Sequence, residues 1–254
     1  MRGSCLCGGV VFEVTPPLRE AAICHCGQCR KQSGHVWAAS AVTLDRFRLV
    51  RSDGLRWFKA SEIASRGFCK DCGATLFWQP HGRDQMSFSP AALDEPSGIG
   101  TAEQFMPEFA GDYYRPEGPP PAPAKGVSLL RGACLCGANR FTLPGPMGPV
   151  TACHCTQCRK LSGHYAASFD ARESDLHWQA RHLAEHVAPA GGRRGFCPDC
   201  GSSLFFRAAD GSFSVEAGCI DAPTGGRLES HIFVADKGDY YMIDDGLPQH
   251  PGGD

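Results

Sequence analysis

The sequence predicts a mainly β protein built as two tandem domains. Three observations support this prediction: one cysteine pattern occurs twice, each copy contains short β-type runs between glycine-rich turns, and a proline-rich stretch separates the copies. The length of 254 residues suits two small domains, on a prior of roughly 150 residues per domain. With 42% hydrophobic residues, the chain can form ordinary hydrophobic cores.

The internal repeat is clearest in the cysteines. Seven of them recur in the second half of the chain, shifted by 128 or 129 positions: Cys5, Cys7, Cys24, Cys26, Cys29, Cys69 and Cys72 correspond to Cys134, Cys136, Cys153, Cys155, Cys158, Cys197 and Cys200. The surrounding sequence also repeats: residues 24–35 read C-H-C-G-Q-C-R-K-Q-S-G-H and residues 153–164 read C-H-C-T-Q-C-R-K-L-S-G-H. Copies of this length are domains rather than units of a solenoid.

The boundary between the copies lies in residues 115–126, which contain five prolines. Such a stretch favours extended polyproline II structure and acts as a semi-rigid spacer. We assign the first domain to 1–116, the linker to 117–126 and the second domain to 127–254. A spacer of this kind leaves the two domains able to pack on each other.

Each copy has the local patterns of a β domain. Residues 10–14, 75–78, 86–89, 203–206 and 212–216 are rich in β-branched and aromatic side chains, which predicts strands. Helical turns are expected only after the central cysteines, at 28–33 and 157–162.

Charge and hydropathy limit the partners. A net charge of -2 gives no electrostatic reason to expect nucleic acid or an anionic membrane. No run approaches the eighteen or so apolar residues of a membrane span, and no apolar targeting run precedes Cys5. We therefore expect a cytoplasmic protein without nucleic-acid or membrane partners.

Fifteen cysteines in such a protein indicate metal binding rather than disulfides, because the cytosol keeps thiols reduced. Two four-cysteine groups have the spacing of closed tetrahedral zinc sites: Cys5, Cys7, Cys69 and Cys72, and Cys134, Cys136, Cys197 and Cys200. A redox-active dithiol and an iron–sulfur centre are the alternatives. The fifteenth cysteine, Cys219, has no counterpart, and we expect it to act as a small buried hydrophobic residue.

Two three-cysteine groups have a different character: Cys24, Cys26 and Cys29, and Cys153, Cys155 and Cys158. Zinc with three protein ligands and an open fourth position is typical of a catalytic or ligand-binding site. Three thiolates weaken the ability of zinc to ionise water, so the site suits capture of an incoming thiol better than hydrolysis.

Neighbouring residues could complete these sites. His25 and His154 could be fourth ligands, but each lies between two ligating cysteines, which favours a supporting or surface role. The basic pairs Arg30-Lys31 and Arg159-Lys160 could receive substrate carboxylates, although a solvated surface is the commoner role of such pairs.

The motifs together identify a family. The order G-x-C-x-C-G, C-H-C-x-x-C-R-K-x-S-G, F-C-x-x-C-G resembles the glutathione-dependent formaldehyde-activating enzyme and centromere protein V family, once per copy. The resemblance implies an Mss4-like fold with a structural zinc on each four-cysteine group and a catalytic zinc on each three-cysteine group. It also implies a carbon–sulfur lyase activity like that of S-(hydroxymethyl)glutathione synthase. In that reaction zinc holds the thiolate of glutathione or a similar thiol, which attacks formaldehyde or a related aldehyde.

The first copy departs from this pattern. Gln104 stands where the second copy has His231, and residues 90–92 read P-A-A where 217–219 read A-G-C. The second copy is therefore the closer to the family. Two other functions stay open: a non-catalytic, zinc-supported binding module, and a nucleic-acid or chromatin factor. The latter would need a basic extension that these 254 residues do not contain.

Overall fold

The computed structural model describes residues 1–253 and is mainly β, which confirms the predicted fold class. The first domain contains the strands β1 Arg2–Ser4, β2 Val11–Val14, β3 Ala21–Cys24, β4 Trp37–Val42, β5 Phe47–Arg51, β6 Leu55–Lys59, β7 Ala64–Cys69, β8 Thr75–Pro80, β9 Met86–Phe88 and β10 Thr101–Phe105. The second contains β11 Leu129–Ala133, β12 Arg140–Pro144, β13 Pro149–Cys153, β14 Ala166–Asp170, β15 His177–Ala180, β16 Ala184–Val187, β17 Arg193–Phe196, β18 Ser203–Arg207, β19 Phe213–Glu216 and β20 Arg227–Ile232.

Both domains arrange their strands in the same way. A three-stranded sheet, β1-β2-β5 or β11-β12-β15, accompanies a seven-stranded sheet. The larger sheets have the orders β10-β3-β4-β9-β8-β7-β6 and β20-β13-β14-β19-β18-β17-β16. The pairs β10–β3 and β20–β13 are parallel, and the neighbouring pairs are antiparallel. The duplication in sequence is thus a duplication of topology, and the five predicted strands all lie on observed ones.

The predicted helical turns form α1 Gly27–Ser33 and α2 Thr156–Ser162. Six short 3-10 turns lie elsewhere in residues 1–253, so the expectation that helical turns follow only the central cysteines was wrong. Each α-helix begins at a cysteine, Cys26 or Cys155, whose Sγ accepts the backbone N–H three residues later. Each ends at a glycine in the left-handed region, with φ of 85° at Gly34 and 81° at Gly163. Glycine adopts this conformation without a Cβ penalty, so the repeated motif contains both caps of its own helix. Within residues 1–253, no helix combines the length and apolar character that a membrane crossing requires.

The two domains contact each other reciprocally, because each helix packs on the other domain. α1 lies against the short turn Ala217–Cys219, and α2 lies against the corresponding turn Pro90–Ala92. The domains also share one buried core, which joins residues such as Ile23 and Tyr113 to Phe141, Val150 and Val215. The two domains therefore pack into one body and are not independent units joined only by the linker.

Cys219 is fully buried in that shared core, as predicted for the unpaired cysteine. Its Sγ donates a hydrogen bond to the backbone oxygen of Glu216 at 3.0 Å. Burial raises the pKa of this thiol, so Cys219 stays neutral and behaves as an apolar side chain.

Candidate metal centres and an open cavity

The first four-cysteine group joins two turns that are distant in sequence. Cys5 and Cys7 follow β1, whereas Cys69 and Cys72 lie at the turn between β7 and β8. The Sγ atoms of Cys5 and Cys7, and of Cys7 and Cys69, are 3.6 Å apart, and all four Sγ atoms lie within 4.8 Å of one another. A tetrahedron with metal–sulfur bonds of about 2.3 Å has edges of about 3.8 Å. The donor set therefore fits a tetrahedral metal ion.

The second four-cysteine group has the same geometry. Cys134 and Cys136 have Sγ atoms 3.5 Å apart, Cys136 and Cys197 have theirs 3.7 Å apart, and Cys200 completes the group. In both domains the group ties the three-stranded sheet to the seven-stranded sheet.

The ionisation of the cysteines in each four-cysteine group also favours binding of a cation. Hydrogen bonds from Cys69 and Cys72 lower the pKa of Cys5 to about 2. The hydrogen bond to that same thiolate raises the pKa of Cys69 to about 12. One thiolate is thus stabilised by its neighbours, whereas additional thiolates are opposed by repulsion. Four ionised cysteines at this spacing need a metal ion to share their charge.

Each three-cysteine group is assembled by one strand end and one helix start. Cys24 ends β3, Cys26 caps α1 and Cys29 lies in its first turn, and their Sγ atoms are within 4.8 Å of one another. Cys153, Cys155 and Cys158 are arranged likewise at β13 and α2. The structure thus brings all fourteen predicted metal-ligating cysteines into four clusters, while their occupation by zinc stays a prediction.

The histidine between the cysteines points away from each group. His25 makes hydrogen bonds through both ring nitrogens, to the Tyr114 hydroxyl and to Gln104, each at 2.8 Å. Both nitrogens are therefore engaged elsewhere, and His25 is not a fourth ligand. His25 is 2% exposed, so of the two expected roles, supporting or surface, the structure favours the supporting one.

His154 has a longer hydrogen-bonded chain in the second domain. Its Nδ1 lies 2.6 Å from the Tyr241 hydroxyl, and its Nε2 lies 2.9 Å from Nδ1 of His231. His231 Nε2 in turn lies 2.8 Å from a carboxylate oxygen of Asp245. Burial lowers the pKa of His154 to about 3, so this imidazole is neutral and holds the Cys153–Cys155 segment in place.

Three of the four residues of the basic pairs, Lys31, Lys160 and Arg159, bond across the domain interface. Lys31 forms a 2.8 Å ion pair with Asp221, and Lys160 forms its counterpart, 2.6 Å from Asp94. The neighbouring arginines donate to backbone oxygens, Arg30 to Phe109 and Arg159 to Ala91. Since none of the four basic residues lines the cavity described below, the predicted role in binding substrate carboxylates has no support from their positions.

Two arginines that sequence reasoning missed do contact the three-cysteine groups. Arg66 on β7 donates to Cys29 Sγ at 3.3 Å, and Arg194 on β17 donates to Cys158 Sγ at 3.6 Å. Their cations offset part of the thiolate charge. Both arginines begin the repeated motif R-G-F-C, at 66–69 and 194–197, so the sequence contained a pattern that could have identified them.

A cavity of about 860 Å³ opens beside the second three-cysteine group. Its floor is one face of the larger sheet, because alternate residues of a strand point to the same side. These residues are Thr151 and Cys153 on β13, Ala166, Ser168 and Asp170 on β14, and Ser214 and Glu216 on β19. Phe206, Phe213, Phe233 and Arg194 also line the cavity.

The corresponding place in the first domain is filled. Trp37 and Trp78 occupy the repeat positions of Ala166 and Phe206. Trp37 is 4% exposed and packs with Cys29, which is 3% exposed, and Trp78 packs against the same cluster. The two three-cysteine groups therefore differ in their surroundings: Cys29 is buried beside Trp37 while Cys24 and Cys26 stay half-buried, and the second group faces a cavity.

Comparisons with known proteins agree with the motifs. A Halomonas elongata protein, provisionally named a glutathione-dependent formaldehyde-activating enzyme, is 35% identical over 30% of this chain and 55% of its own length. A Schizosaccharomyces pombe protein named an uncharacterized lyase is 28% identical over the same shares. The chain thus spans about half the length of these curated relatives. A crystal structure of a Rhodobacter sphaeroides protein matches 41% of this chain and 99% of its own, at 25% identity and a TM-score of 0.33.

The family model matches most of the chain. Residues 1–109 and 129–236 each match the glutathione-dependent formaldehyde-activating enzyme family. The two matches fall on the two copies of the cysteine pattern and confirm the tandem duplication. The chain therefore belongs to the glutathione-dependent formaldehyde-activating enzyme family and carries two copies of its domain.

Proposed function

We propose that the chain is a zinc-dependent enzyme of the carbon–sulfur lyase type. It adds the thiol of glutathione, or of a similar molecule, to formaldehyde or a related aldehyde at the second three-cysteine centre. The observation that carries this proposal is the cavity of about 860 Å³ beside Cys153, Cys155 and Cys158. Zinc there would supply an open coordination position that favours an ionised sulfur.

The cavity residues suit a peptide-like thiol. The hydroxyl groups of Thr151, Ser168 and Ser214 line the floor and can exchange hydrogen bonds with amide groups. Arg194 lies over the ring of Phe206 at 4.5 Å and lines the same cavity, so its guanidinium is placed to meet a carboxylate. A glutathione-dependent reaction also fits a reducing compartment such as the cytoplasm.

The first domain has a structural part in this proposal. Arg66, the counterpart of Arg194, is held by Gln32, and the amide of Gln32 donates to the backbone oxygen of Cys200 in the second domain. In this proposal the first three-cysteine centre, whose Cys29 is buried beside Trp37, has a structural role at the interface, whereas the second centre receives the substrate.

Matched cysteine variants test the proposal. Cys155→Ser and Cys26→Ser each remove one ligand from equivalent centres, so each should lower the zinc content by about one ion. Only Cys155→Ser should abolish catalysis, by about 100-fold or more, because its centre faces the cavity. The rate is measured by NMR exchange between glutathione, formaldehyde and S-(hydroxymethyl)glutathione.

Two outcomes would contradict the proposal. If the variants lose activity equally, access does not separate the two centres. If the zinc-loaded wild-type protein accelerates exchange no more than buffer does, the chain is better explained as a zinc-supported binding module.

A further inference from the structure

Glu216, at the end of β19, is an unusual residue for a cavity floor. It is 8% exposed, and its Oε2 atom has no hydrogen-bond partner within residues 1–253. Its Oε1 atom accepts only a long hydrogen bond, of 3.4 Å, from Ser203 Oγ. A buried carboxyl oxygen without a partner is costly to the fold, and such groups concentrate where function requires them. The residue shares its cavity with the three cysteines of the second centre.

Only the second domain has a carboxyl group at this position. The two repeats differ at a second, related position as well. Glu216 corresponds to Ser89 in the first domain, and Ala166 corresponds to Trp37. The Trp37 indole lies against Gly163, where an added Cβ would be 2.5 Å from the ring. The Glu216 carboxyl lies against Gly34, where an added Cβ would be 2.9 Å from Oε2. The helix-ending glycine that meets the Trp37 indole of the first domain is Gly163, and its counterpart Gly34 meets the Glu216 carboxyl of the second domain.

The surroundings of Glu216 act on its protonation state in opposite directions. Burial raises its pKa to about 7, although the cation of Arg194 on β17 acts in the opposite direction. Asp170 on β14 and Asp236 after β20 are the other charged groups of the cavity, and the thiol of Cys219 lies behind the strand end. From the first domain, α1 presents the backbone of Gly34. A carboxyl group in this setting exists in both protonation states near neutral pH, which proton transfer in both directions requires.

We propose that Glu216 is the proton-transfer residue of the second centre, an inference that rests on the proposed function. Its carboxylate accepts the proton of the substrate thiol as the sulfur ionises. The sulfur lone pair then forms the bond to the aldehyde carbon, and the π electrons of the carbonyl group move to its oxygen. Glu216 returns the proton to that oxygen. The sum is thiol plus aldehyde giving a hemithioacetal, which is the S-hydroxymethyl adduct when the aldehyde is formaldehyde, with no proton taken from solvent and no other reactant.

The variant Glu216→Gln tests this role, since it keeps the size of the side chain and cannot carry the proton. We expect kcat/KM for glutathione and formaldehyde to fall by about 100-fold or more, the usual contribution of a general acid–base. We also expect the wild-type dependence of the rate on an ionisation near pH 7 to disappear. Zinc content and the Kd for glutathione should stay within about twofold of wild type. Glu229→Gln, which changes an exposed glutamate of the same domain, is the matched control.

A second measurement follows the carboxyl group itself, without turnover. Infrared difference spectra between pH 5 and 9 should show a carboxylic acid C=O band that titrates near pH 7 in the wild type and in Glu229→Gln. The band should be missing in Glu216→Gln. If Glu216→Gln keeps the wild-type rate and pH profile, or no such band titrates in the wild type, Glu216 does not have this role. If the wild type itself fails to accelerate the addition, the proposed function fails and the proton-transfer role fails with it.

Discussion

At the scale of single residues, a tryptophan and an alanine distinguish two centres that carry identical cysteines. Trp37 packs on Cys29, whereas Ala166, its counterpart, lines the cavity beside Cys158. Together with Trp78 and its counterpart Phe206, this pair of residues on equivalent strands gives the two centres different surroundings, and a bulky side chain at position 166 should fill the cavity beside the second centre.

Ala166→Trp should close the second centre. The indole would project from the cavity floor, so glutathione affinity should fall by about tenfold or more, or about 1.4 kcal/mol, while zinc content is unchanged. Isothermal titration calorimetry with the zinc-loaded protein measures this change. Trp37→Ala is the control: truncating a buried tryptophan should cost about 3–5 kcal/mol of unfolding free energy in urea and leave glutathione affinity unaltered. Wild-type affinity in Ala166→Trp would show that the ligand does not use this cavity.

At the scale of secondary-structure elements, the four-cysteine groups act as clasps between sheets. In the second domain, the turn after β11 carries Cys134 and Cys136, and the turn between β17 and β18 carries Cys197 and Cys200. The three-stranded sheet offers little area for a core of its own, so its position depends on this clasp.

Cys197→Ser should therefore release the three-stranded sheet. We expect the loss of more than about 4 kcal/mol of stability, because binding of a structural metal is part of the folding free energy. Hydrogen exchange should show lost protection in β11, β12 and β15. Cys155→Ser is the contrast, since serine still caps α2 and the expected change is within about 1 kcal/mol. Equal losses from both variants would contradict the division into clasps and open centres.

The sequence was sufficient to predict five of the twenty strands that residues 1–253 form, both α-helices and the cysteine groups, because these depend on patterns and spacing along the chain. It did not reveal the cavity, since the significance of Ala166 and Glu216 appears only when β14 and β19 lie side by side. The burial of His25 depends on Tyr114, 89 residues away, and could not be read locally. Arg194 was visible in a repeated motif and was missed. The domain boundaries at 1–116, 117–126 and 127–254 stay predictions.

At the scale of the whole molecule, each domain supplies a buried aromatic side chain to the packing of the other. Gly73, beside the clasp of the first domain, packs on Phe196 of the second, and Gly201 packs on Phe68 in the reciprocal contact. An added Cβ would lie 2.7 Å from the Phe196 ring and 2.4 Å from the Phe68 ring. Both glycines also have positive φ, 78° and 75°. Each four-cysteine group therefore lies beside a contact with a buried phenylalanine of the partner domain.

This contact predicts that the two domains unfold together. Scanning calorimetry of the zinc-loaded protein should show one transition, with equal calorimetric and van't Hoff enthalpies. Gly201→Ala should lower the midpoint temperature of this transition and still give one transition, because the strain at this position acts on the shared core. Asp221→Asn is the control: it removes the ion pair to Lys31, whose aspartate is 52% exposed, and such pairs contribute about 0–1 kcal/mol. Two resolved transitions in the wild type, or a Gly201→Ala variant in which only the second domain unfolds early, would show that the domains are thermodynamically independent.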